Sequence, residues 1–379
     1  MKRVTIISTN EFDAFAGSEM LWAEMAARMA AQGTALEILR PAWTQMPERI
    51  SRLNTLDGIR VSTLPTSISI HHRIANRLGI RRAADHFARL RRRFLEQARP
   101  NLVLISQGGL TDGCAWMEAC AEQGIPFVAI VHLVADALWP SPNEIELASV
   151  IYPQAKAVFF ISVHNRALAT RQLGIDFSSA PLVRNPFNVD YHTDFSWPEL
   201  TGEWKLACVG RLGAEHKGQD LLIEVLANPK WRERPLTVTL FGQGHHRSLL
   251  ERLITQFGTA NVKFGGYTDG IMEVWHTHHA LVMPSRYEGL PIALVEAMLC
   301  HRMAIVTDVG GNVELLEEGI TGFIAAAPTI SELDAAMERA WQRRLEWKEA
   351  GLRAGESVRK AIPKDPVLDF INVLSATGF

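Results

Sequence analysis

Two carboxylates, Glu288 and Glu296, flank a glycine and a proline in the run Ser285-Arg286-Tyr287-Glu288-Gly289-Leu290-Pro291-Ile292-Ala293-Leu294-Val295-Glu296-Ala297-Met298. The run follows an apolar strand pattern at 280–283. Pro291 suits the first position of a helix, where its missing N–H would be unpaired anyway. Glu288-Gly289-Leu290 is then the turn. The helix start beyond it offers free N–H groups and a positive dipole end, which suit a phosphate. Gly289 lets the backbone approach a ligand closely. Glu296, early in the helix, can accept two hydrogen bonds from a ribose diol. A lone glutamate at such a place is more often a solvated surface charge.

A second element, Val209-Gly210-Arg211-Leu212-Gly213-Ala214-Glu215-His216-Lys217-Gly218, also follows a strand pattern and opens a helix. Arg211 and Lys217 bracket a glycine-containing turn. Two cations facing a helix N-terminus make a diphosphate clamp. Taken alone, two solvated loop cations are an equal reading.

Weaker signals accompany these. Phe15-Ala16-Gly17-Ser18-Glu19 is a small-residue turn after the first strand, where Gly17 would let the chain approach a sugar. Turns of this kind often need a glycine for geometry alone, and the same holds for Gly310-Gly311-Asn312-Val313-Glu314. His132 follows a strand pattern ending at Val131, so its imidazole could meet a sugar hydroxyl or the reacting region. A lone histidine is more often structural. His276, His278 and His279 cluster before a strand, but no carboxylate or thiol stands at ligand spacing, so no metal is expected there.

The elements that would position these residues alternate strictly. Short apolar runs at 4–7, 35–39, 102–105, 127–131 and 157–161 are separated by helical patterns, the first at 18–31, capped by Ser18. The alternation restarts with strands at 205–209, 236–241, 280–283, 304–306 and 322–325, and helices at 218–226, 245–256 and 291–299. A further helix is expected over 331–357. This is the pattern of βαβ units and parallel sheets with helices on both faces. Residues 185–202, rich in Asn, Pro, Asp and aromatics, read as the linker. Two doubly wound domains are thus expected, 1–185 and 186–379, with ligand in the cleft between them.

Composition sets bounds. The 379 residues are 47% apolar and 21% charged, as in an ordinary globular chain, and the net charge of −2 gives no general pull toward nucleic acid. Four cysteines (Cys114, Cys120, Cys208, Cys300) form no C-x-x-C pair and are expected buried and reduced, as in the cytosol. No signal-peptide pattern opens the chain, and no apolar run approaches the ~20 residues of a spanning helix.

Together these residues resemble the retaining glycosyltransferases of the GT-B fold, specifically glycosyltransferase family 4. Its E-x7-E signature is met by Glu288 and Glu296, and its Gly-Arg-Leu…Lys-Gly element by Arg211 and Lys217. Glu318-Gly319-Ile320-Thr321-Gly322-Phe323, Gly17-Ser18-Glu19 and Asn185-Pro186-Phe187-Asn188-Val189-Asp190 also look like family segments. The resemblance implies an α/β GT-B fold of two Rossmann-like domains: an N-terminal acceptor side, and a C-terminal donor domain whose last helix packs back on the first. It implies that Arg211 and Lys217 hold the donor diphosphate, supported by the backbone of Gly289 and Leu290. Glu296 would bind the ribose, Glu288 would lie near the donor sugar, His132 would approach the reacting sugar, and Gly17, in the acceptor-side glycine loop, would join the donor-binding residues. It further implies a metal-independent hexosyl transfer with retention, by same-face attack, with no dedicated nucleophile. The co-substrate is a UDP-, GDP- or ADP-sugar, and the acceptor a glycan, a lipid-linked precursor or a polysaccharide precursor. Departures are Ala16 before Gly17, and His301 and Met303 after the Glu-Ala-Met stretch.

Nine arginines fall between 71 and 100: Arg73, Arg77, Arg81, Arg82, Arg89, Arg91, Arg92, Arg93 and Arg99. With interleaved apolar residues they form a basic amphipathic stretch that suits an anionic membrane surface or an anionic acceptor. A snorkelling, solvated face is the rival reading. No nucleic-acid motif accompanies them. The expectation is a cytoplasmic enzyme, peripheral on the inner face of the membrane. The rival from another class is a nucleotide-sugar-binding partner of a second transferase, without turnover. A dinucleotide-dependent oxidoreductase is disfavoured, because no G-x-G-x-x-G follows the first strand.

Overall fold

The computed structural model describes residues 2–10, 17–43, 46–63, 81–192, 195–268 and 270–378, with side chains from residue 86 onward in the helix Arg81–Ala98. The chain divides into two compact units. One comprises Met1–Pro186 and Asp365–Phe379, the other Phe187–Lys364.

The first unit holds a six-stranded parallel sheet of β1 (Arg3–Ser8), β2 (Ala35–Arg40), β3 (Ile59–Thr63), β4 (Leu102–Gln107), β5 (Phe127–Val131) and β6 (Ala157–Phe160). Its order is β3-β2-β1-β4-β5-β6. Val4 is the partner of Leu36 on one side and Leu102 on the other, so the strand order reverses between β1 and β4. The second unit repeats the plan with β7 (Trp204–Val209), β8 (Leu236–Phe241), β9 (Val262–Gly266), β10 (Ala280–Met283), β11 (Met303–Thr307) and β12 (Gly322–Ala325). Its order is β12-β11-β10-β7-β8-β9, reversing between β7 and β10. Two such parallel sheets flanked by helices are the GT-B architecture. In doubly wound sheets, ligands bind at the carboxyl ends of the strands where the order reverses.

Burial explains which strands the sequence announces. Every residue of β4, β5, β10 and β11 is buried, as in parallel strands covered on both faces. β3 and β9 were not expected. Both are edge strands with exposed charges, Arg60 in one and Lys263 in the other, so neither carries a continuous apolar run. Helix starts follow local chemistry: Ser141 and Glu144 form a reciprocal capping box, and the side chains of Ser162 and Thr329 cap their helices.

Three boundaries differ from expectation. The first helix is Gly17–Ala31, and the Ser18 hydroxyl bonds Glu19 rather than capping it. Pro291 sits at the N-cap in extended backbone, and the helix proper is Ile292–Leu299. Residues 331–357 are two helices, Ile330–Gln342 and Trp347–Ala361, broken by a 3-10 turn at Arg344–Glu346. The break lets Trp341 and Trp347 both reach the core, with Trp347 Nε1 donating to Ala340 O at 2.8 Å.

The last helix, Pro366–Ala376, belongs to the first unit. Phe370 meets Phe159 edge-on at 5.3 Å, and Asp365 pairs with Arg28 at 2.6 Å. All four cysteines are buried and free. No helix among the described residues is long and apolar enough to cross a membrane.

Candidate active site

The loop leaving β7 is shaped by close backbone packing. Gly210 N–H donates to Phe241 O, Leu212 N–H donates to Gln243 O, and buried Gln219 donates to Arg211 O at 2.7 Å. A short helix, Ala214–Lys217, ends at Gly218 with φ +65°. A Cβ there would lie 1.9 Å from Pro284 O, so only glycine lets this turn lie against the end of β10. Arg286 N–H donates to His216 O, and the Arg286 guanidinium grips the Asp220 carboxylate bidentately at 2.7 Å. The Gly-Arg-Leu loop is thereby fixed to the Ser285–Leu290 turn.

That turn is pressed from its other side. Gly310, at φ +53°, brings its Cα so close that a Cβ would lie 2.0 Å from Glu288 O. Gly311 N–H donates to Gly289 O at 2.6 Å. Gly310 is thus required by close approach to the turn, whereas Gly311 contributes its N–H.

Lys217 and Glu288 meet here. Lys217 Nζ lies 2.6 Å from Glu288 Oε1, which also accepts from Ser285 Oγ at 2.7 Å. Glu288 is 5% exposed. Burial pushes its carboxyl up, but the Lys217 charge and the two hydrogen bonds outweigh that and hold it below the usual carboxylate range. Glu288 therefore offsets part of the charge that Lys217 brings.

His216 was not singled out by sequence reasoning, because histidine in a cation-rich loop carries no distinguishing spacing. It stacks on Tyr287, with centroids 4.2 Å apart and planes 12° apart. Arg211 Nη2 lies 3.3 Å from His216 Nδ1. A guanidinium only donates, so Nδ1 accepts and the ring proton sits on Nε2. Nε2 is buried without a hydrogen-bond partner among the described residues, 3.9 Å from Glu288 Oε2. Burial and the neighbouring Lys217 push the imidazole down to about 4, so it is neutral near pH 7. The guanidinium of Arg211 is thus steered by a neutral acceptor.

Glu296, on Ile292–Leu299, is 4% exposed, which excludes the solvated-charge reading. Its Oε1 accepts from both the backbone N–H (2.8 Å) and Nδ2 (3.0 Å) of Asn188. Gly289 and Leu290 are buried in the turn before that helix. Arg211, Lys217, Glu288, Gly289 and Leu290 all lie beyond the carboxyl ends of β7 and β10, where the second sheet reverses.

His132 and Gly17 belong to the first unit. Gly17 opens its helix beyond β1, beside a buried network in which Ser8, Asn10 and Ser18 donate to Glu19. His132 N–H donates to Gln107 O, and its Nε2 lies 3.2 Å from Ser106 Oγ. Nδ1 has no partner among the described residues, and burial pushes the ring down to about 3.

The only group resembling a metal-ligand set among the described residues is Glu215, His245 and His246. Glu215 lies 3.1 Å from His245 Nε2 and 2.8 Å from His246 Nδ1. His246 Nδ1 also accepts from Ala214 N–H at 3.1 Å. The cluster ties Ala214–Lys217 to the loop after β8. His278 and His279 are buried in structural bonds, to Thr239 and to Lys205 N–H.

Comparison with known proteins follows the same division. Residues 192–358 match the family model described as glycosyl transferases group 1. That match lies within the second unit. It holds Arg211, Lys217, Glu288, Gly289, Leu290 and Glu296. An alpha-D-kanosaminyltransferase of Streptomyces kanamyceticus is 34% identical over 35% of this chain and 34% of its own. A GDP-mannose-dependent alpha-(1-6)-phosphatidylinositol monomannoside mannosyltransferase of Mycolicibacterium smegmatis is 28% identical over 48% and 52%. The chain thus spans about a third of the length of the first curated relatives it matches. The crystal structure of Anabaena HepE in complex with UDP-glucose aligns over 99% of this chain and 100% of that one, with TM-score 0.76 and 17% identity. At that identity the likeness establishes the fold.

Proposed function

We propose that the chain is a glycosyltransferase that moves a hexose-type sugar from a nucleoside diphosphate to an acceptor hydroxyl, with retention. The observation that carries this reading is the Arg211–Lys217–Glu288 cluster at the reversal of the second sheet, beside the N-terminus of Ile292–Leu299. A diphosphate placed there meets two cations and free helix N–H groups. As the sugar–phosphate bond breaks, negative charge grows on the diphosphate oxygens, and preorganised cations stabilise that state more than the ground state. Arg211 and Lys217 supply the positive charge that a divalent ion would otherwise bring. Glu288 faces the donor sugar and keeps Lys217 extended. Glu296 takes the ribose diol. Neutral His132, with Gly17, serves the sugar from the first unit, and the departing diphosphate takes the acceptor proton on the same face.

The acceptor in this reading is a glycan or a lipid-linked or polysaccharide precursor, met at the inner membrane face by the arginine-rich helix. The relatives support different bases: one is named for GDP-mannose, and HepE was crystallised with UDP-glucose.

Calorimetric titration with UDP, GDP and ADP, each with and without EDTA, tests the reading on wild type and Glu296→Ala. One nucleotide should bind, ignore EDTA, and weaken about tenfold in the variant. Absence of binding by all three would sink it. Binding of a nucleotide sugar without release or transfer, across a broad acceptor panel, would favour the non-catalytic partner instead.

A further inference from the structure

Among the described residues two arginines are buried, and their surroundings differ. Arg302 is 0% exposed and spends its guanidinium on the carbonyls of Trp275, His278, Cys300, His301 and Ser196. Arg40 is 4% exposed, and its hydrogen bond runs from Nη1 to Pro41 O at 2.6 Å. Its Nε is buried with no partner, and no carboxylate pairs with it among the described residues. Nε and Nη2 form one edge of a guanidinium, the edge by which Arg92 grips Glu122. In Arg40 that edge is unused. A buried cation without a counter-charge costs stability, and burial pushes this guanidinium below its ordinary range.

Arg40 ends β2 at the carboxyl edge of the first sheet, beside the end of β1. The sheet order reverses on the other side of β1, and doubly wound sheets take ligands at such edges. The Trp43 ring covers one face of the guanidinium, with Cζ 4.6 Å from its centroid. The indole N–H donates to Asn10 O at 3.4 Å, and Asn10 Nδ2 donates to Ser18, next to Gly17. Arg40 is thereby held at the loop that leaves β1. With one face on Trp43 and Nη1 on Pro41, the planar group is fixed. Its remaining edge is a preformed fork, and two parallel N–H groups there match two oxygens of one phosphate or carboxylate. Such a group would bring the counter-charge that the free protein lacks.

We propose that Arg40 is an oxyanion-binding residue of the first unit, taking two oxygens of a phosphate or carboxylate group on the acceptor. This rests on the reading that the first unit serves the acceptor. It narrows that acceptor to a molecule carrying an acidic group.

The test reads Arg40 directly. In the full chain carrying isotope-labelled arginine, the Arg40 Nε–H resonance is the one lost in Arg40→Met. Inorganic phosphate and acetate are titrated in turn, and the anion that moves this resonance at the lower concentration names the class. The response should persist in Lys217→Met, where the donor clamp is weakened. Arg40→Lys keeps the charge without the fork, so on the Lys217→Met background its phosphate affinity by calorimetry should fall about tenfold. Arg40→Met keeps the stem against Trp43, and its melting temperature should be no lower than that of wild type. Glycerol phosphate against phosphatidylglycerol vesicles then separates a soluble acceptor from a lipid headgroup. A resonance unmoved by both anions, or one whose response vanishes in Lys217→Met, overturns the inference and leaves the donor site standing. A lower melting temperature in Arg40→Met assigns the guanidinium to the fold and overturns it too. A wild type that binds no nucleotide, with Arg40 still answering to an anion, overturns the donor-site reading alone.

Discussion

At the scale of the residue, the site joins charges that are far from equivalent. Lys217 and Glu288 form a buried pair, and Arg211 is steered by a histidine that must stay neutral to accept its hydrogen bond. The second fact has a pH signature. His216 titrates near 6.5 when unfolded and about 4 when folded, so between these values the unfolded chain binds more protons. Its contribution to stability is complete above about pH 6.5 and is lost as the pH falls toward 4, by on the order of 3 kcal/mol. His216→Phe keeps the ring on Tyr287 and removes the titration. Its unfolding free energy, measured by urea titration, should fall less than that of wild type between pH 7 and 4. The same variant loses the acceptor for Arg211, so its diphosphate affinity should drop roughly five- to tenfold at pH 7. An unaltered pH profile would mean that His216 is not held neutral.

The sequence announced the residues of this site better than their partners. Glu288, Gly289, Leu290 and Glu296 fall within one short run, so spacing alone reveals them. Asn188 is 108 residues from Glu296, and although its segment, 185–190, looks like a family stretch, nothing in the sequence ties it to that glutamate. Gly218 and Gly310 read as turn glycines, but the clash each avoids involves backbone from another segment.

At the scale of the element, fully buried strands were legible as apolar runs, and the edge strands β3 and β9 were not. The arginine-rich stretch shows a different limit. Arg73 and Arg77 lie outside the described residues, as do the side chains of Arg81 and Arg82. In the helix Arg81–Ala98, Arg92 grips Glu122 bidentately at 2.6 and 2.7 Å, and Arg91 lies over the Trp116 ring. Those two serve the fold, whereas Arg89 and Arg93 are exposed. If the helix meets an anionic surface, these two should carry the effect. Sedimentation with phosphatidylglycerol vesicles should show binding that weakens between 50 and about 300 mM salt and that Arg89→Glu/Arg93→Glu reduces several-fold. Equal recovery with neutral vesicles would remove the membrane from the account.

At the scale of the whole molecule, the first unit is built from both ends of the chain. Val367, Phe370 and Leu374 of the last helix are buried, with Phe370 against Phe159. Removing 365–379 uncovers three apolar side chains, at about 1.5–3 kcal/mol each, and leaves Arg28 without Asp365. The truncated chain should unfold in two steps by calorimetry, with the lower step moved down by ten degrees or so and the upper one little changed.

That same arrangement gives the protein a history during its synthesis. The ribosome releases the nine-tenths or so of the first unit that ends at Pro186, then the whole second unit, and only then the helix that completes the first. At roughly 5–20 residues per second, the face around Phe159 waits on the order of ten to forty seconds for Phe370. Meanwhile the second unit can fold as a closed insert, its two ends already stapled by the Tyr191 hydroxyl on Ile362 O. Nascent chains of this protein should therefore be most in need of chaperone cover over the first unit, whose own sequence was translated first and finished last.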